Sequence, residues 1–177
     1  SLQHLRGEPS VQFNTAQREL TLKIVYYGPR LSGKTTNLRA LYQRIQPALR
    51  GHLMTLDTAD DRTLFFDTLP LIFKTGNLKV KLKLFTVPGQ VIHNSTRRVV
   101  LQAADGVAFI ADSQNDQSKN NAESFRNLQE NLSQNGLDPA DFPIVVQYNK
   151  RDLPTIKTPH EIKKSRADSG TPTYPGP

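Results

Sequence analysis

The sequence has no cysteine and only four histidines among its 177 residues. The missing cysteines exclude a disulfide framework and thiolate chemistry, and histidines this scattered do not indicate a metal cluster. No apolar run approaches the roughly 20 residues of a membrane-spanning helix, and the N-terminus lacks the pattern of a signal peptide. These absences predict a soluble chain, compatible with a reducing cytoplasm.

Acidic residues are the scarcer charged class, with 16 Asp and Glu against 23 Lys and Arg. The net charge of +7 could favour nucleic acid, anionic lipid or an acidic partner. No basic stripe is interleaved with aromatic residues, so a solvated basic surface around a bound anion is the simpler explanation. We therefore expect no nucleic-acid partner, and at most peripheral membrane contact through Lys163, Lys164 and Arg166.

A glycine-rich loop separates a strand from a helix near the N-terminus. The apolar, β-rich residues 20–27 predict a strand that is buried on both faces. Apolar residues then recur at i, i+3, i+4 and i+7 within residues 35–46, which predicts an amphipathic helix. Strand, glycine loop and helix follow one another in the order that a phosphate-binding loop requires.

The rest of the pattern predicts a doubly wound α/β fold. Residues 63–73 and 80–87 read as a β-hairpin, and Pro70 places its first strand at an edge because proline cannot donate to a ladder. Buried-type strands at 106–112 and 143–149 flank an amphipathic helix. We therefore expect a mostly parallel sheet with one antiparallel edge strand and helices on both faces.

The chain divides into three parts by composition. The polar residues 1–12 predict a flexible arm, and residues 13–155 form one domain. Residues 156–177 mix proline, glycine and charge, which predicts a loose or truncated tail. Within that tail, Thr173 and Tyr174 could begin one more strand.

The loop at residues 28–35 fits the P-loop pattern in full. Its glycines let successive N–H groups face phosphates, Lys34 can reach the β- and γ-phosphates, and the Thr35 hydroxyl can ligate Mg2+. The helix that follows adds its positive N-terminal end. The candidate phosphate contacts are Gly28, Arg30, Leu31, Ser32, Gly33, Lys34, Thr35 and Thr36.

A second motif, Asn-Lys-Arg-Asp at residues 149–152, follows a buried strand. The Asp152 carboxylate can accept hydrogen bonds from the N1–H and 2-amino group of guanine, groups that adenine does not present. Lys150 can cover the base plane, and Asn149 can hydrogen-bond the base edge. Alone such a stretch is often a polar loop, but behind a P-loop it favours guanine nucleotide.

A third motif, Thr-Val-Pro-Gly-Gln at residues 86–90, ends the strand of the hairpin. The Gly89 N–H can contact a γ-phosphate, and Gln90 can orient an attacking water. An ordinary strand-end turn is the alternative. The order of the three motifs predicts that the chain binds GTP with Mg2+ and hydrolyses it to GDP.

At these motifs the sequence resembles the Ras-like GTPases, and more closely their bacterial MglA branch. The branch-like stretches are residues 23–38, 61–71, 86–90, 105–114 and 149–154. The resemblance implies a P-loop NTPase small G-domain whose closing C-terminal strand and helix are missing here. It also implies that Thr63 senses the γ-phosphate and joins Thr35 on Mg2+. Arg62 would stabilise transition-state charge beside Lys34 and Gln90.

The resemblance further implies a nucleotide-operated switch in bacterial cell polarity or gliding motility. A Roadblock/LC7-type, MglB-like protein would activate it, and effectors would contact the switch segments at residues 57–73 and 88–98. Candidate contact residues there are Phe65, Phe66, Arg97 and Arg98, and the alternative for each is a core or solvated position with no partner role.

Two residues depart from the family pattern. Arg30 stands where relatives mostly have glycine, and its side chain would crowd Gln90, so we expect slow turnover. The opposite interpretation is that Arg30 neutralises phosphate charge and helps catalysis. Thr86 stands where Ras-like proteins usually carry a Mg2+-linked aspartate. In this it resembles the MglA branch, so we expect weaker support of the metal but still expect Mg2+ to bind.

Two other functions stay open at this point. One is a hydrolysis-deficient scaffold that binds GTP and recruits partners through its switch regions. The other, an ATP-using or nucleic-acid-acting P-loop enzyme, is less favoured by the guanine motif.

Overall fold

The computed structural model of the chain describes residues 11–52, 54–58, 61–87, 94–169 and 173–175. Its side chains are described outside residues 54–58, 61–69, 165–169 and 173–175. The strands are β1 (Gln12–Asn14), β2 (Glu19–Tyr27), β3 (Met54–Thr58), β4 (Asp61–Thr75), β5 (Leu78–Thr86), β6 (Gly106–Asp112), β7 (Ile144–Asn149) and β8 (Thr173–Pro175). The α-helices are α1 (Lys34–Arg44), α2 (Asn94–Leu101), α3 (Ser118–Gln134) and α4 (Pro159–Ser169).

The strands form one mixed sheet in the order β3-β4-β5-β2-β6-β7-β8. The pairs from β5 through β2, β6 and β7 to β8 are parallel, whereas β3, β4 and β5 pair antiparallel. The short strand β1 adds an antiparallel pairing at the start of β2. The α/β class with a mostly parallel sheet is therefore confirmed.

Alternate residues of the central strand β2 enter two different cores. Val25 and Tyr27 pack in a cluster with residues of α2, α3 and α4. Ile24 and Tyr26 pack in a second cluster around Leu38 of α1. Because successive side chains of a strand point to opposite faces, helices cover both faces of the sheet, as predicted.

The prediction that Pro70 puts its strand at an edge is wrong, because β3 pairs with the outer side of β4. The sequence showed no strand signal for β3. Pro70 itself lies beyond the β3 ladder, and its carbonyl accepts a hydrogen bond from Gly51 N at 2.7 Å. Since the N and O atoms of a strand residue point to the same side, the missing N–H costs no bond to β5.

The prediction of a loose tail from residue 156 is wrong for residues 159–169, which form α4. Thr158 and Glu161 form a reciprocal capping box: Glu161 N donates to Thr158 Oγ1 at 3.3 Å, and Thr158 N donates to Glu161 Oε2 at 2.6 Å. Pro159 occupies the first helical position, and Ile162 is buried in the core. The strand suggested at Thr173 is present as β8, so the expectation that it is missing is also wrong.

The remaining boundary predictions have mixed outcomes. Residues 1–10 of the expected arm lie outside the described residues, whereas Gln12 belongs to β1. The helix α2 had no sequence prediction. Among the described residues, no helix has both the length and the apolar character that crossing a bilayer requires.

Candidate functional site

The C-terminal ends of the parallel strands meet at one edge of the sheet, and the P-loop follows β2 there. Val87 N, just after β5, donates to Tyr26 O at 3.2 Å, and Ser113 N, just after β6, donates to Asn149 O at 3.0 Å. Ligands of open α/β sheets bind at this edge. The fold therefore brings the P-loop and the Asn-Lys-Arg-Asp motif together.

Two positions of the P-loop require glycine. Gly28 has φ 147°, and a Cβ there would lie 2.3 Å from Ile110 O. Gly33 has φ 96°, and a Cβ there would lie 2.7 Å from Asn149 Nδ2. Only glycine combines these dihedrals with such close contacts, so the two residues fix the curl of the loop.

Lys34 is the buried charge at the centre of the loop, with 7% of its surface exposed. Its Nζ donates to Gly28 O at 2.9 Å and to Pro29 O at 2.7 Å. Burial, with a smaller contribution from the charge of Arg97, lowers the pKa of Lys34 to about 8. An ammonium has three donors, so one remains for an oxygen outside the loop.

The loop fits a phosphate group. The N-terminus of α1 has no side-chain cap and no acidic residue in its first turn, so its N–H groups and positive dipole end are not neutralised locally. Ser32 Oγ is buried and has no hydrogen-bond partner among the described residues. A phosphate would supply the acceptors and the negative charge that this arrangement lacks.

The rim of the loop carries two exposed side chains. Leu31 is 75% exposed and has φ 62°, a left-handed conformation that costs a non-glycine residue about 1–2 kcal/mol. Arg30 is exposed beside it, Thr35 is half-buried, and Thr36 is exposed. The strained backbone at Leu31 therefore lies next to Arg30, the residue that departs from the family pattern.

The Asn-Lys-Arg-Asp motif is anchored by an ion pair. Lys150, in the left-handed region at φ 62°, places its Nζ 2.6 Å from Asp112 Oδ2. Burial alone would raise the pKa of Asp112, but the hydrogen bonds from Lys150 and Gln114 outweigh it and hold that pKa below its ordinary value. Asp112 is therefore a carboxylate at neutral pH, and it holds Lys150 at the ligand edge.

Asn149 has a contact that the sequence did not indicate. Its Nδ2 donates to Ser32 O at 3.2 Å, and its Oδ1 accepts from Gln147 Nε2 at 3.0 Å. This bond ties the Asn-Lys-Arg-Asp motif to the P-loop across 117 residues, and the predicted contact of Asn149 with a base edge stays a prediction. Asp152, which follows in the motif, is exposed.

Arg97 is buried, which excludes the predicted role of its side chain as a surface contact for partners. Its Nε donates to Asn127 Oδ1 at 3.0 Å. Asn131 Nδ2 donates to Tyr27 OH at 3.0 Å and to Asn94 Oδ1 at 2.9 Å. This network joins α2 and α3 to the last residue of β2, directly before the P-loop. Motif reasoning missed it, because it is assembled from isolated Asn, Tyr and Arg residues.

Several predicted site residues are located only in part. Gly89 and Gln90 lie outside the described residues. Arg62 and Thr63 belong to β4, but their side chains lie outside the described part. Because Thr68 pairs with Phe85, their backbone extends past the end of β5 on the P-loop side of the sheet. Thr86 is buried at the end of β5.

Comparison with known proteins agrees with this geometry. No protein-family model matches the chain. The mutual gliding-motility protein MglA of Myxococcus xanthus is 46% identical over 162 residues, which span 91% of this chain and 83% of that protein. Identity at this level over most of both chains establishes the family. The chain therefore belongs to the MglA branch of the Ras-like small GTPases and is a GTP-binding switch protein of that kind.

Proposed function

We propose that the chain holds the phosphates of GTP and GDP in the P-loop and reads the guanine with residues 149–152. The observation that carries this proposal is the buried Lys34 ammonium at the centre of the P-loop. The loop is shaped for this purpose by Gly28 and Gly33, two positions that only glycine can occupy. Lys34 contacts the β- and γ-phosphates, and the N–H groups of residues 31–36 contact their oxygens. Equilibrium competition between guanine and adenine nucleotides for the site tests this assignment.

Guanine selectivity comes from the carboxylate of Asp152. It is exposed in the described structure, so its oxygens can accept from the N1–H and 2-amino groups of the base. Lys150, held by Asp112, lies along the base plane with its alkyl chain. Asn149 holds the two loops together through its hydrogen bond to Ser32 O, and its second amide N–H can hydrogen-bond the base edge.

The residues suited to Mg2+ are the hydroxyl groups of Thr35 and Thr63. When bound, the metal neutralises charge that develops on the phosphate oxygens. In the described residues, no group of three His, Cys, Asp or Glu side chains could hold a metal. Two hydroxyls and the nucleotide's own oxygens match the oxygen ligands and retained waters that Mg2+ prefers.

Hydrolysis of GTP requires residues that position water and stabilise charge. We assign the positioning of water to Gln90, a γ-phosphate contact to the Gly89 N–H, and charge stabilisation to Arg62 and Lys34. The backbone of Arg62 lies on the part of β4 that extends past β5, so a local displacement of that segment would bring it to the nucleotide. We therefore expect slow intrinsic turnover.

Arg30 limits the rate in this account. Replacing it with glycine or alanine is expected to speed single-turnover GTP hydrolysis by about 10- to 100-fold, because positioning errors of about an angstrom have effects of this size. Rapid mixing of preloaded protein with Mg2+, followed by phosphate release, measures the rate.

Comparing the two variants shows whether the size of the Arg30 side chain or the added backbone flexibility of glycine changes the hydrolysis rate. Arg30→Ala keeps a Cβ and removes only the long side chain, so a steric effect makes both variants fast. The exposed Arg39 on α1 provides a matched control as Arg39→Ala. An unchanged rate in both Arg30 variants would remove the steric explanation, and a lower rate in both would support the opposite role, in which Arg30 assists catalysis.

The pKa of Lys34 predicts how GDP affinity depends on pH. Phosphate favours the charged ammonium, whereas burial lowers its pKa to about 8 in the ligand-free protein. Affinity for GDP should therefore be level below about pH 8 and fall above it, with a limiting slope of about tenfold per pH unit. Titration calorimetry across this range measures the slope.

The free energy of unfolding should respond in the opposite direction. The folded pKa of Lys34 lies below its ordinary value of 10.5, so burying the charged form destabilises the ligand-free fold, and this penalty is relieved as pH rises from about 8 toward 10.5. For the GDP affinity, the Lys34→Gln variant is the control, because ionisation of the guanine affects both proteins equally. If the affinity of both proteins depended on pH in the same way, Lys34 would not be the group that contacts the phosphates.

The inference about the cellular role rests on the name of the relative from Myxococcus xanthus, the mutual gliding-motility protein MglA. We infer a switch in gliding motility or cell polarity, activated by a Roadblock/LC7-type protein that contacts the switch segments at residues 57–73 and 88–98. Arg98, exposed on α2, remains a candidate contact, although its Nη1 donates to Gln134 Oε1 at 2.7 Å. Phosphate release measured with and without such a protein tests this inference: an unchanged rate would contradict it.

A further inference from the structure

Four lysines emerge together from the sheet, on the half that lies away from the P-loop. Lys79, Lys81 and Lys83 alternate along β5, and Lys74 of β4 is the register partner of Lys79. Side chains alternate between the faces of a strand, and directly paired residues share a face. All four therefore lie on one face of the sheet. We call these four residues the lysine face.

The lysine face has little acidic compensation. Glu19 is the one acidic residue on this face among the described residues of β2, β4 and β5, and its Oε2 lies 3.2 Å from Lys79 Nζ. Lys23 is the register partner of Lys83 on β2. Burial lowers the pKa of Lys23 to about 8; Asp105 opposes this shift, and the charge of Lys83 adds a smaller contribution in the same direction as burial. Among the described residues, Lys74, Lys81 and Lys83 form no ion pair.

Among the described residues, the helices end before this half of the face, so its lysines are open to solvent. On the half nearest the P-loop, α2 and α3 pack over Val25 and Tyr27. That cover stops at Lys23, whose Nζ donates to Gln102 O, just after α2, at 2.8 Å. Beyond this point Lys74 and Lys83 are exposed, and the Lys79 side chain is 40% exposed.

The spacing of the four ammonium groups fits a flat anionic surface. Neighbouring strands lie about 4.8 Å apart and alternate residues about 6.7 Å apart, so the charges spread over a plane. The one described aromatic ring on β5, Phe85, lies against the core and under Lys23 Nζ at 4.9 Å, so it offers no stacking platform for bases. The four lysines supply charge without the apolar anchors that protein partners use. The exposed Phe13 of β1 is the register partner of Leu20, so it belongs to the opposite face of the sheet.

We propose that the lysine face binds the surface of an anionic lipid bilayer. Lys79 lies seven residues along β5 from Thr86, which places it about 23 Å from the nucleotide edge at about 3.3 Å per residue. Lipid phosphates would accept from the four ammonium groups while the nucleotide edge stays accessible. The proposal goes beyond the proposed function, because it does not require the P-loop to be occupied.

The test is partition of the full chain between buffer and vesicles. Vesicles of equal parts phosphatidylglycerol and phosphatidylcholine should bind the chain, and vesicles of phosphatidylcholine alone should not. Each lysine near an anionic surface contributes roughly fivefold to the partition coefficient, so K74Q/K83Q should lower it by roughly 25-fold. Binding should also weaken strongly as salt rises toward about 0.15 M.

A matched double variant shows whether vesicle binding depends on the lysine face itself or only on the net charge of the chain. K163Q/K164Q removes two exposed charges of α4, which the sequence suggested as a peripheral membrane contact. If the lysine face is the contact instead, this variant should lower partition by less than about threefold, which is below the effect of even one contact lysine. Thermal melting confirms that each variant is folded. If K74Q/K83Q proved unstable, the single variant Lys83→Gln should still show roughly a fivefold loss.

Several results would overturn the proposal. They are equal binding to both kinds of vesicle, no binding to either, equal losses in the two double variants, or a loss confined to the α4 pair. Binding to polyglutamate or to duplex DNA, with no binding to anionic vesicles, would assign the lysine face to a different partner and would likewise overturn it.

Discussion

Lys34→Gln is expected to lower the affinity for GDP and GTP by about 150-fold, which corresponds to about 3 kcal/mol. Glutamine is close in length and can still donate to Gly28 O or Pro29 O, so the change isolates the charge. The ammonium is buried beside two carbonyls, and its attraction to phosphate is little screened there. Displacement of a fluorescent GDP analogue measures the loss.

The same variant should make the ligand-free protein more stable, by roughly 1 kcal/mol, because a buried charge without a counter-ion costs free energy. Urea unfolding of both proteins without nucleotide measures this term. Lys119→Gln, a change at an exposed position of α3, is the control and should alter neither quantity measurably. Lower stability together with unchanged affinity would mean that Lys34 serves the fold and has no role in phosphate binding.

Asp152→Asn is expected to change the preferred base from guanine to xanthine. The carboxylate accepts two hydrogen bonds from guanine, and an amide in its place presents one donor group and one acceptor. Guanine affinity should fall by about 150-fold, or about 3 kcal/mol, because bonds to a charged acceptor are worth about 1.5–3 kcal/mol each. Xanthine carries a carbonyl at the 2-position, so xanthosine diphosphate should bind the variant better than GDP does.

Tighter binding of xanthosine diphosphate by the variant would distinguish a change in base recognition from misfolding of the loop. A misfolded loop loses both nucleotides, whereas a residue that reads the base exchanges them. Asp141→Asn, at an exposed position between α3 and β7, is the control and should leave both affinities unchanged. Equal losses for both nucleotides in Asp152→Asn would mean that Asp152 does not read the base.

The parts of the fold that the sequence predicted are those with local signals. The strand, loop and helix around residues 28–35 follow from glycine positions and apolar spacing within a short segment. The capping box at Thr158 and Glu161 was also a local signal, and attention to it would have predicted α4. The strand β3 has no comparable signal, because it forms against β4 and depends on that partner.

The contacts that the sequence did not predict join distant residues. Nothing near Arg97 indicates burial, which depends on Asn127 of α3 across 30 residues. The bond from Asn149 to Ser32 likewise exists only after the sheet brings two loops together. Propensity and motif spacing describe neither packing nor hydrogen-bond partners across the fold, so these features required the structure.

The central claim is that this site selects guanine nucleotides, and competition binding tests it most directly. A fluorescent GDP analogue is bound with Mg2+ and displaced by unlabelled GDP, GTP and ATP in parallel titrations. The account predicts displacement by GDP and GTP, with ATP at least about 100-fold weaker because it leaves the Asp152 carboxylate without its donors. Equal displacement by ATP, or no binding of the GDP analogue, would contradict the account.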